Sequence, residues 1–210
     1  MRERQVGFSL VELMLVVVII MIISIIAIPQ IARINANYKL DASGHAVASL
    51  VQQTRLQAVK SNLPAYVQYD TTQNPNVAYV NGDSTQGYVL GNPDVALGSN
   101  VSFQNAGLPD HSQLDTYLGG GGVAIEPMAN NIRSIAFNPR GLPCVPTGNP
   151  QVCSPTDGGA PPAFLWLMQN TANGGWEAIT VTPAGRVKSW RLVNSSGGAT
   201  ASCGFAACWQ

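Results

Sequence analysis

The stretch of sequence that decides the fold runs from Phe8 to Pro29 and reads FSLVELMLVVVIIMIISIIAIP. Its first 21 residues contain only three polar side chains: Ser9, Glu12 and Ser24. As an α-helix they rise by about 31 Å, which is enough to cross a hydrocarbon core of about 30 Å. The run is longer than the apolar region of a secretory signal peptide, and no A-x-A cleavage pattern follows it. We therefore predict a membrane-spanning helix over residues 8–29.

Charged residues are few and balanced in this chain. They make up 10% of the 210 residues, with 11 Lys and Arg against 11 Asp and Glu, whereas soluble proteins carry about a quarter. This composition argues against a free cytosolic protein, a disordered tail and a strongly basic nucleic-acid coat. Arg2 and Arg4 precede the apolar run, so the positive-inside rule predicts a cytoplasmic N-terminus, with everything after Pro29 beyond the membrane.

Glu12 is the one ionisable side chain within the apolar run. An ionised carboxylate in a lipid-facing helix costs roughly 2–3 kcal/mol or more, and such residues are usually paired. Two interpretations stay open at this point. Either the carboxylate snorkels to the nearby membrane interface, or it pairs with a cation on a neighbouring chain.

The helical pattern continues beyond the membrane, from Gln30 to about Asn62, because apolar residues recur there in steps of three and four. Gly44 weakens the middle of this helix by about 1 kcal/mol, which predicts a bend or fraying near it. Leu63-Pro64 ends the helix. We assign residues 30–62 to the half of the helix outside the membrane and residues 63–210 to a globular head, which is long enough for a core.

The head reads as strands and turns. The segments with strand character are 65–69, 77–80, 88–90, 132–137, 164–168, 176–182 and 186–192, and those with loop character are 119–122 and 143–162. The prediction is an α+β fold, in which one long N-terminal helix packs on a mainly antiparallel β head.

The motif GFSLVEL at residues 7–13 resembles the class III signal of type IV pilins and pseudopilins, and Pro29 sits where these helices often carry a proline. The resemblance implies a leader peptide over residues 1–7, cleaved after Gly7 by a membrane prepilin peptidase. It also implies N-methylation of Phe8. In this family the matching glutamate neutralises the N-terminal amine of an adjacent subunit, which supplies a partner for Glu12.

Three motifs in the head resemble the GspH/FimT type of minor pilin: TRLQAVKSN at 54–62, IAFNPRG at 135–141, and the pair ITV at 179–181 with GRV at 185–187. The resemblance implies a pilin-like fold and a structural subunit that assembles into, or primes, a type IV pilus or a type II secretion pseudopilus. The implied location is the bacterial inner membrane, single-pass with a periplasmic head, and then the filament. The implied partners are other pilins and the inner-membrane assembly platform.

A basic stretch near the C-terminus gives an alternative function. Strand alternation would put Arg186 and Lys188 on one face and Arg191 on the other. In some FimT-like pilins a similar G-R-x-[RK] pattern binds DNA, and Trp190 next to it is a candidate for stacking on a base. The other interpretation is a solvated edge hairpin whose cations discourage edge pairing.

The four cysteines, Cys144, Cys153, Cys203 and Cys208, allow three pairings. We expect the local pairs Cys144–Cys153 and Cys203–Cys208, since the predicted compartment permits disulfides. Free thiols are the alternative. A metal site is not expected, because Cys144 and Cys153 are too far apart for a close ligand pair and no histidine lies near either pair.

No motif indicates an enzyme. The two histidines, His45 and His111, are isolated, although Asp110 and Asp115 are near enough in sequence to orient His111. Neither a G-x-x-x-x-G-K-[ST] loop nor a G-x-S-x-G elbow occurs. We therefore predict no catalytic residue and no cofactor. A membrane-anchored periplasmic domain of unrelated function remains the third possibility.

Overall fold

The computed structural model describes residues 10–82, 87–104, 107–119, 132–147, 152–154, 162–195, 205 and 207–210. The chain divides into two compact units, Met1–Ala36 and Asn37–Gln210. The first helix, α1 (Leu10–Ser61), begins in one unit and ends in the other.

The described part of the first unit is the apolar beginning of α1. Of residues 10–35, all but Ser24 and Ala27 are exposed, and the most apolar window of the helix has a mean hydropathy of 3.2. Pro29 lies inside the helix, although proline usually kinks or ends one. The described residues thus contain one helix that is long and apolar enough to cross a membrane.

In the second unit, the rest of α1 buries one face. The buried residues follow each other mostly in steps of three and four, as helical periodicity predicts: Leu40, Val47, Leu50, Val51, Thr54 and Ala58. Gly44 causes no interruption, since the helix is continuous through it. The helix ends at Ser61 because Asn62 adopts the left-handed φ of 55° and Leu63-Pro64 follows.

The head contains two antiparallel sheets and a short second helix, α2 (Ser112–Leu118). The strands are β1 (Ala65–Asp70), β2 (Val77–Asn81), β3 (Asp94–Ala96), β4 (Val101–Gln104), β5 (Ile132–Phe137), β6 (Pro143–Thr147), β7 (Val152–Ser154), β8 (Phe164–Asn170), β9 (Gly175–Val181), β10 (Val187–Ser195) and β11 (Ala207–Trp209). One sheet has the order β3-β2-β1-β5-β6-β7 and the other β11-β10-β9-β8-β4. The α+β fold predicted from the sequence, with a long N-terminal helix on an antiparallel head, is confirmed.

Strand alternation divides the buried side chains of the second sheet between two clusters. Along β8, Phe164, Trp166 and Met168 join the main core, which also contains the buried face of α1. Leu165 and Leu167 point the other way and pack with Leu114 and Leu118 of α2 and with Trp190 and Trp209. The second sheet is therefore covered on both faces, by α1 on one and α2 on the other.

The structure corrects two sequence expectations for the head. Residues 88–90 form no strand: only Leu90 makes an isolated bridge, and the strand is β3, four residues further on. The predicted loop 143–162 contains a hairpin, β6–β7, in which Pro146 lies opposite Cys153. Proline is tolerated there because β6 pairs with β5 only at Pro143 and Cys144, so that Pro146 has a neighbouring strand on one side alone.

Candidate functional site

The first candidate is the apolar beginning of α1. Glu12 lies in the first turn of the helix and is exposed. A carboxylate near a helix N-terminus is favoured by the helix dipole. No described residue forms an ion pair with Glu12. Gly7 and Phe8, the predicted processing residues, lie outside the described residues.

The second candidate is the turn between β9 and β10, with the strand that follows. Arg186 belongs to this turn, because β10 begins at Val187, so strand alternation does not determine its direction. Arg186 is exposed and lines a cavity with Gln52 and Arg55 of α1. Lys188 lies elsewhere, with its Nζ 3.3 Å from the centre of the Trp190 ring. Alternation predicted that Arg186 and Lys188 lie on one face of the strand. The structure instead places Arg186 beside α1 and Lys188 over the Trp190 ring.

Trp190 is not available to stack on a base. Its side chain is 8% exposed, its Nε1 donates to Thr180 Oγ1 at 2.8 Å, and its ring packs edge-on against Tyr117. The DNA-binding alternative, which used this ring for stacking, gains no support from it, because the ring belongs to the cluster that packs against α2.

Arg191 faces helix α1, away from Lys188, as alternation predicts. Its Nη1 donates to Asp41 Oδ2 at 2.8 Å, and both side chains are about two-fifths exposed. This ion pair joins β10 to α1, so Arg191 has a structural partner within the head.

Next to this ion pair lies a buried carboxylate, Glu177. It stands opposite Arg191 in the β9–β10 pairing, is 3% exposed, and its Oε2 has no hydrogen-bond partner among the described residues. Burial, together with the carboxylate of Asp41, raises the pKa of Glu177 to about 8, even though the Arg191 guanidinium acts to lower it. Glu177 is therefore mostly protonated at neutral pH.

Glu177 was not among the site residues predicted from the sequence, although its strand contained the signal. In GWEAITV, a period of two puts Glu177 on the same face as Ile179 and Val181, which are both fully buried. A charged residue on the apolar face of a strand indicates a buried carboxylate.

Arg55 of α1 joins two turns of the head. Its Nε donates to the carbonyl of Gly141 at 2.8 Å, and its Nη2 lies 3.5 Å from the carbonyl of Ala184. Gly185 has a φ of 75°, and a Cβ there would lie 2.6 Å from the Gly141 oxygen. Only glycine fits this position. The glycines of the sequence motifs IAFNPRG and GRV thus meet at one point on α1.

The three cysteines that the structure describes are all disulfide-bonded. Cys144 and Cys153 are joined across the β6–β7 hairpin, which is the local pairing favoured from the sequence, and the Cys144 side chain is fully buried against Tyr66 and Ala136. Cys208 is also disulfide-bonded, while Cys203, its predicted partner, lies outside the described residues. Among the described residues, no group of three or more His, Cys, Asp and Glu is placed to hold a metal ion.

The histidines form no catalytic arrangement in the described structure. His111 precedes α2, with its Nε2 3.6 Å from Asp115 Oδ2 and its Nδ1 3.2 Å from the Pro109 carbonyl. His45 is exposed on α1. Asp110 instead faces the first turn of α2, where Ser112 donates to its side chain. These residues fix the start of a short helix.

A family model described as type II transport protein GspH matches residues 43–198, which include the part of α1 from Ser43 to Ser61 and strands β1 to β10. The chain belongs to the GspH family. Neither the curated proteins nor the solved structures contain a significant match to it.

Membership of the GspH family sets the functional class of the molecule. At this level it is a minor pilin or pseudopilin of a type II secretion or pilus system, and proteins of this class are structural subunits. The family implies contacts with other pseudopilins and with the secretion machinery. The apolar part of α1 that precedes the matched region indicates a membrane-anchored, single-pass protein.

Proposed function

We propose that this GspH-family chain is a minor subunit that is made as a precursor in the bacterial inner membrane and assembled into, or used to prime, a type II secretion pseudopilus or type IV pilus. The observation that carries the proposal is the exposed, apolar beginning of α1. An exposed apolar helix surface of this length is stable only where lipid or other helices cover it. A subunit that leaves the membrane for a filament has both surroundings available.

The proposal includes three steps at the N-terminus. Prepilin peptidase cleaves after Gly7, the new amine of Phe8 is methylated, and this cation pairs with the Glu12 carboxylate of a neighbouring subunit. The pairing offsets the cost of a carboxylate among apolar helices. The cytoplasmic start and the periplasmic head follow from Arg2 and Arg4 before the helix.

Intact-mass and N-terminal analysis of the protein from its native membranes tests this function. We expect a mature chain that begins with methylated Phe8. The variant Gly7→Leu should retain the leader, because a bulky side chain then occupies the position before the cut. Val6→Leu serves as the matched control and should be cleaved. A wild-type chain that still begins at Met1 would favour an ordinary anchored domain instead.

A further inference from the structure

A cavity of about 290 Å³ opens between α1 and the β9–β10 turn. We call it the Arg55 pocket, and its lining residues are Gln52, Arg55, Leu56, Gly185, Arg186 and Val187. One wall is a helix face and the other is the tight β9–β10 turn, and Arg55 connects this turn, through the Ala184 carbonyl, to the Gly141 carbonyl of the turn between β5 and β6.

The pocket carries uncompensated positive charge. A guanidinium has five N–H donors, and those of Arg55 reach two carbonyl groups in the described structure. No carboxylate of the described residues lies within ion-pair distance of Arg55 or of the exposed Arg186. Arg140, in the facing turn, is exposed as well. The site therefore has unused donors for a carboxylate, for which two arginines provide strong, charge-assisted hydrogen bonds.

Apolar side chains lie directly beside these cations. Leu56 is 69% exposed and Val59 is 50% exposed. Three residues apart on α1, they share one helix face. Val59 also approaches Gly141, since its Cγ2 lies 3.0 Å from where a Cβ on that glycine would be. The surface next to the pocket thus offers aliphatic contact together with positive charge.

We propose that the Arg55 pocket is a docking site for an acidic and partly aliphatic segment of another protein subunit. A carboxylate of that segment binds Arg55 and Arg186, and a neighbouring aliphatic side chain packs on Leu56 and Val59. The inference rests on the proposed function, because assembly supplies the neighbouring subunits.

The chemistry of the pocket favours a protein over a nucleic acid. Single-stranded nucleic acid needs a row of cations and open aromatic rings. Here Arg191 is paired with Asp41, Lys188 lies over Trp190, and the Trp190 ring is buried. The arginines at the pocket, Arg55, Arg186 and the nearby Arg140, lie beside the aliphatic side chains of Leu56 and Val59, which offer a phosphate no hydrogen bond.

Binding to the full-length protein in detergent micelles tests the proposal with defined probes. The first probe is a short, capped helical peptide with Leu and Glu on one face. The comparison probes are the same peptide with Gln for Glu, the same peptide with Ser for Leu, and a short DNA strand. The variants are Arg186→Gln and Leu56→Gln, which alter only exposed side chains, with Lys188→Gln as the matched control and circular dichroism to check folding.

We expect the Leu/Glu peptide to bind and each comparison probe to bind at least about tenfold more weakly, because the loss of one charge-assisted contact or of one buried aliphatic side chain implies such a factor. R186Q and L56Q should weaken peptide binding by a similar factor, and K188Q should leave it unchanged. Three results would overturn the proposal: no binding of the Leu/Glu peptide, binding that R186Q does not change, or DNA binding as tight as that of the peptide. None of these results depends on cleavage after Gly7, so failure here and failure of the proposed function are separate.

Discussion

Gly44 of α1 lies against the carboxylate of Glu177 on β9, so that a Cβ on this glycine would overlap the carboxylate. The helix therefore contains a glycine in its middle because the buried Glu177 side chain needs the space. This contact explains a residue that intrinsic helix propensity disfavours by about 1 kcal/mol against alanine.

Gly44→Ala is expected to destabilise the head despite the better helix propensity of alanine. The gain of about 1 kcal/mol is opposed by overpacking of about 1–3 kcal/mol, since Glu177 is buried and has little room to move. Thermal unfolding in detergent, followed by circular dichroism, measures the difference. Ser49→Ala, at an exposed position of the same helix, is the matched control and should be neutral or slightly stabilising. In a Glu177→Ala background the sign of Gly44→Ala should reverse, and an unchanged sign would argue against the contact.

The buried Glu177 predicts that stability falls as pH rises. Its folded-state pKa of about 8 lies above the ordinary value of 4.5, so the folded protein holds this proton more tightly than the unfolded chain does. The contribution is complete below pH 4.5 and is lost between about pH 4.5 and 8, by at most about 1.4 kcal/mol per pH unit. Denaturant unfolding over this range, compared between wild type and Glu177→Gln, isolates the effect. Parallel pH profiles for the two proteins would contradict the prediction.

The sequence was sufficient to predict the apolar beginning of α1 and the longer strands. The apolar run is a strong signal, since only a membrane or other helices can cover it. Strands β5, β8 and β9 begin within a residue of the predicted starts, because their apolar runs are bounded by Asn, Pro and Gly. For these elements the local pattern and the tertiary packing agree.

The shorter elements were missed because they depend on packing. Helix α2 has seven residues, too few to be stable alone, and it exists because Leu114 and Leu118 are buried beneath the second sheet. Strand β11 has three residues, and the backbone of its Trp209 is hydrogen-bonded to the Gln113 side chain of α2. The Arg55 pocket was not visible either, since residues 55, 141 and 185 meet only in the folded head.

Gln113 of α2 binds the backbone of strand β11 as a neighbouring strand would. Its Nε2 donates to the Trp209 carbonyl at 3.0 Å, and its Oε1 accepts from the Trp209 N–H at 2.7 Å. Gln113→Glu loses the donor and keeps an acceptor, so we expect a loss of about 1–2 kcal/mol and faster hydrogen exchange at residues 207–210. Gln53→Glu, at an exposed helix position, is the control. Unchanged exchange in this segment would show that β11 is held by β10 alone.

The disulfide between Cys144 and Cys153 should stabilise the edge of the first sheet. It closes a loop with a sequence separation of 9, for which the chain-entropy model gives about 2–3 kcal/mol. The variant with Ser at both positions should unfold at a lower temperature in oxidising buffer. A reductant should move wild type towards the variant and leave the variant less affected. Equal melting temperatures of the two proteins in oxidising buffer would mean that the hairpin needs no covalent closure.

Glu12→Gln separates processing from assembly. The amide keeps the size of the carboxylate but removes the charge, so it cannot neutralise the Phe8 amine of a neighbouring subunit. We expect normal cleavage after Gly7 and a strong reduction of the chain in sheared filaments, as measured by intact mass and by quantitative immunoblotting. Ser24→Ala is the matched control, because the Ser24 hydroxyl donates at 2.7 Å to the Ile20 carbonyl of its own helix and needs no second subunit. If Glu12→Gln enters filaments as efficiently as Ser24→Ala does, the charge of Glu12 is not what assembly requires, and the snorkelling interpretation of this carboxylate should be adopted.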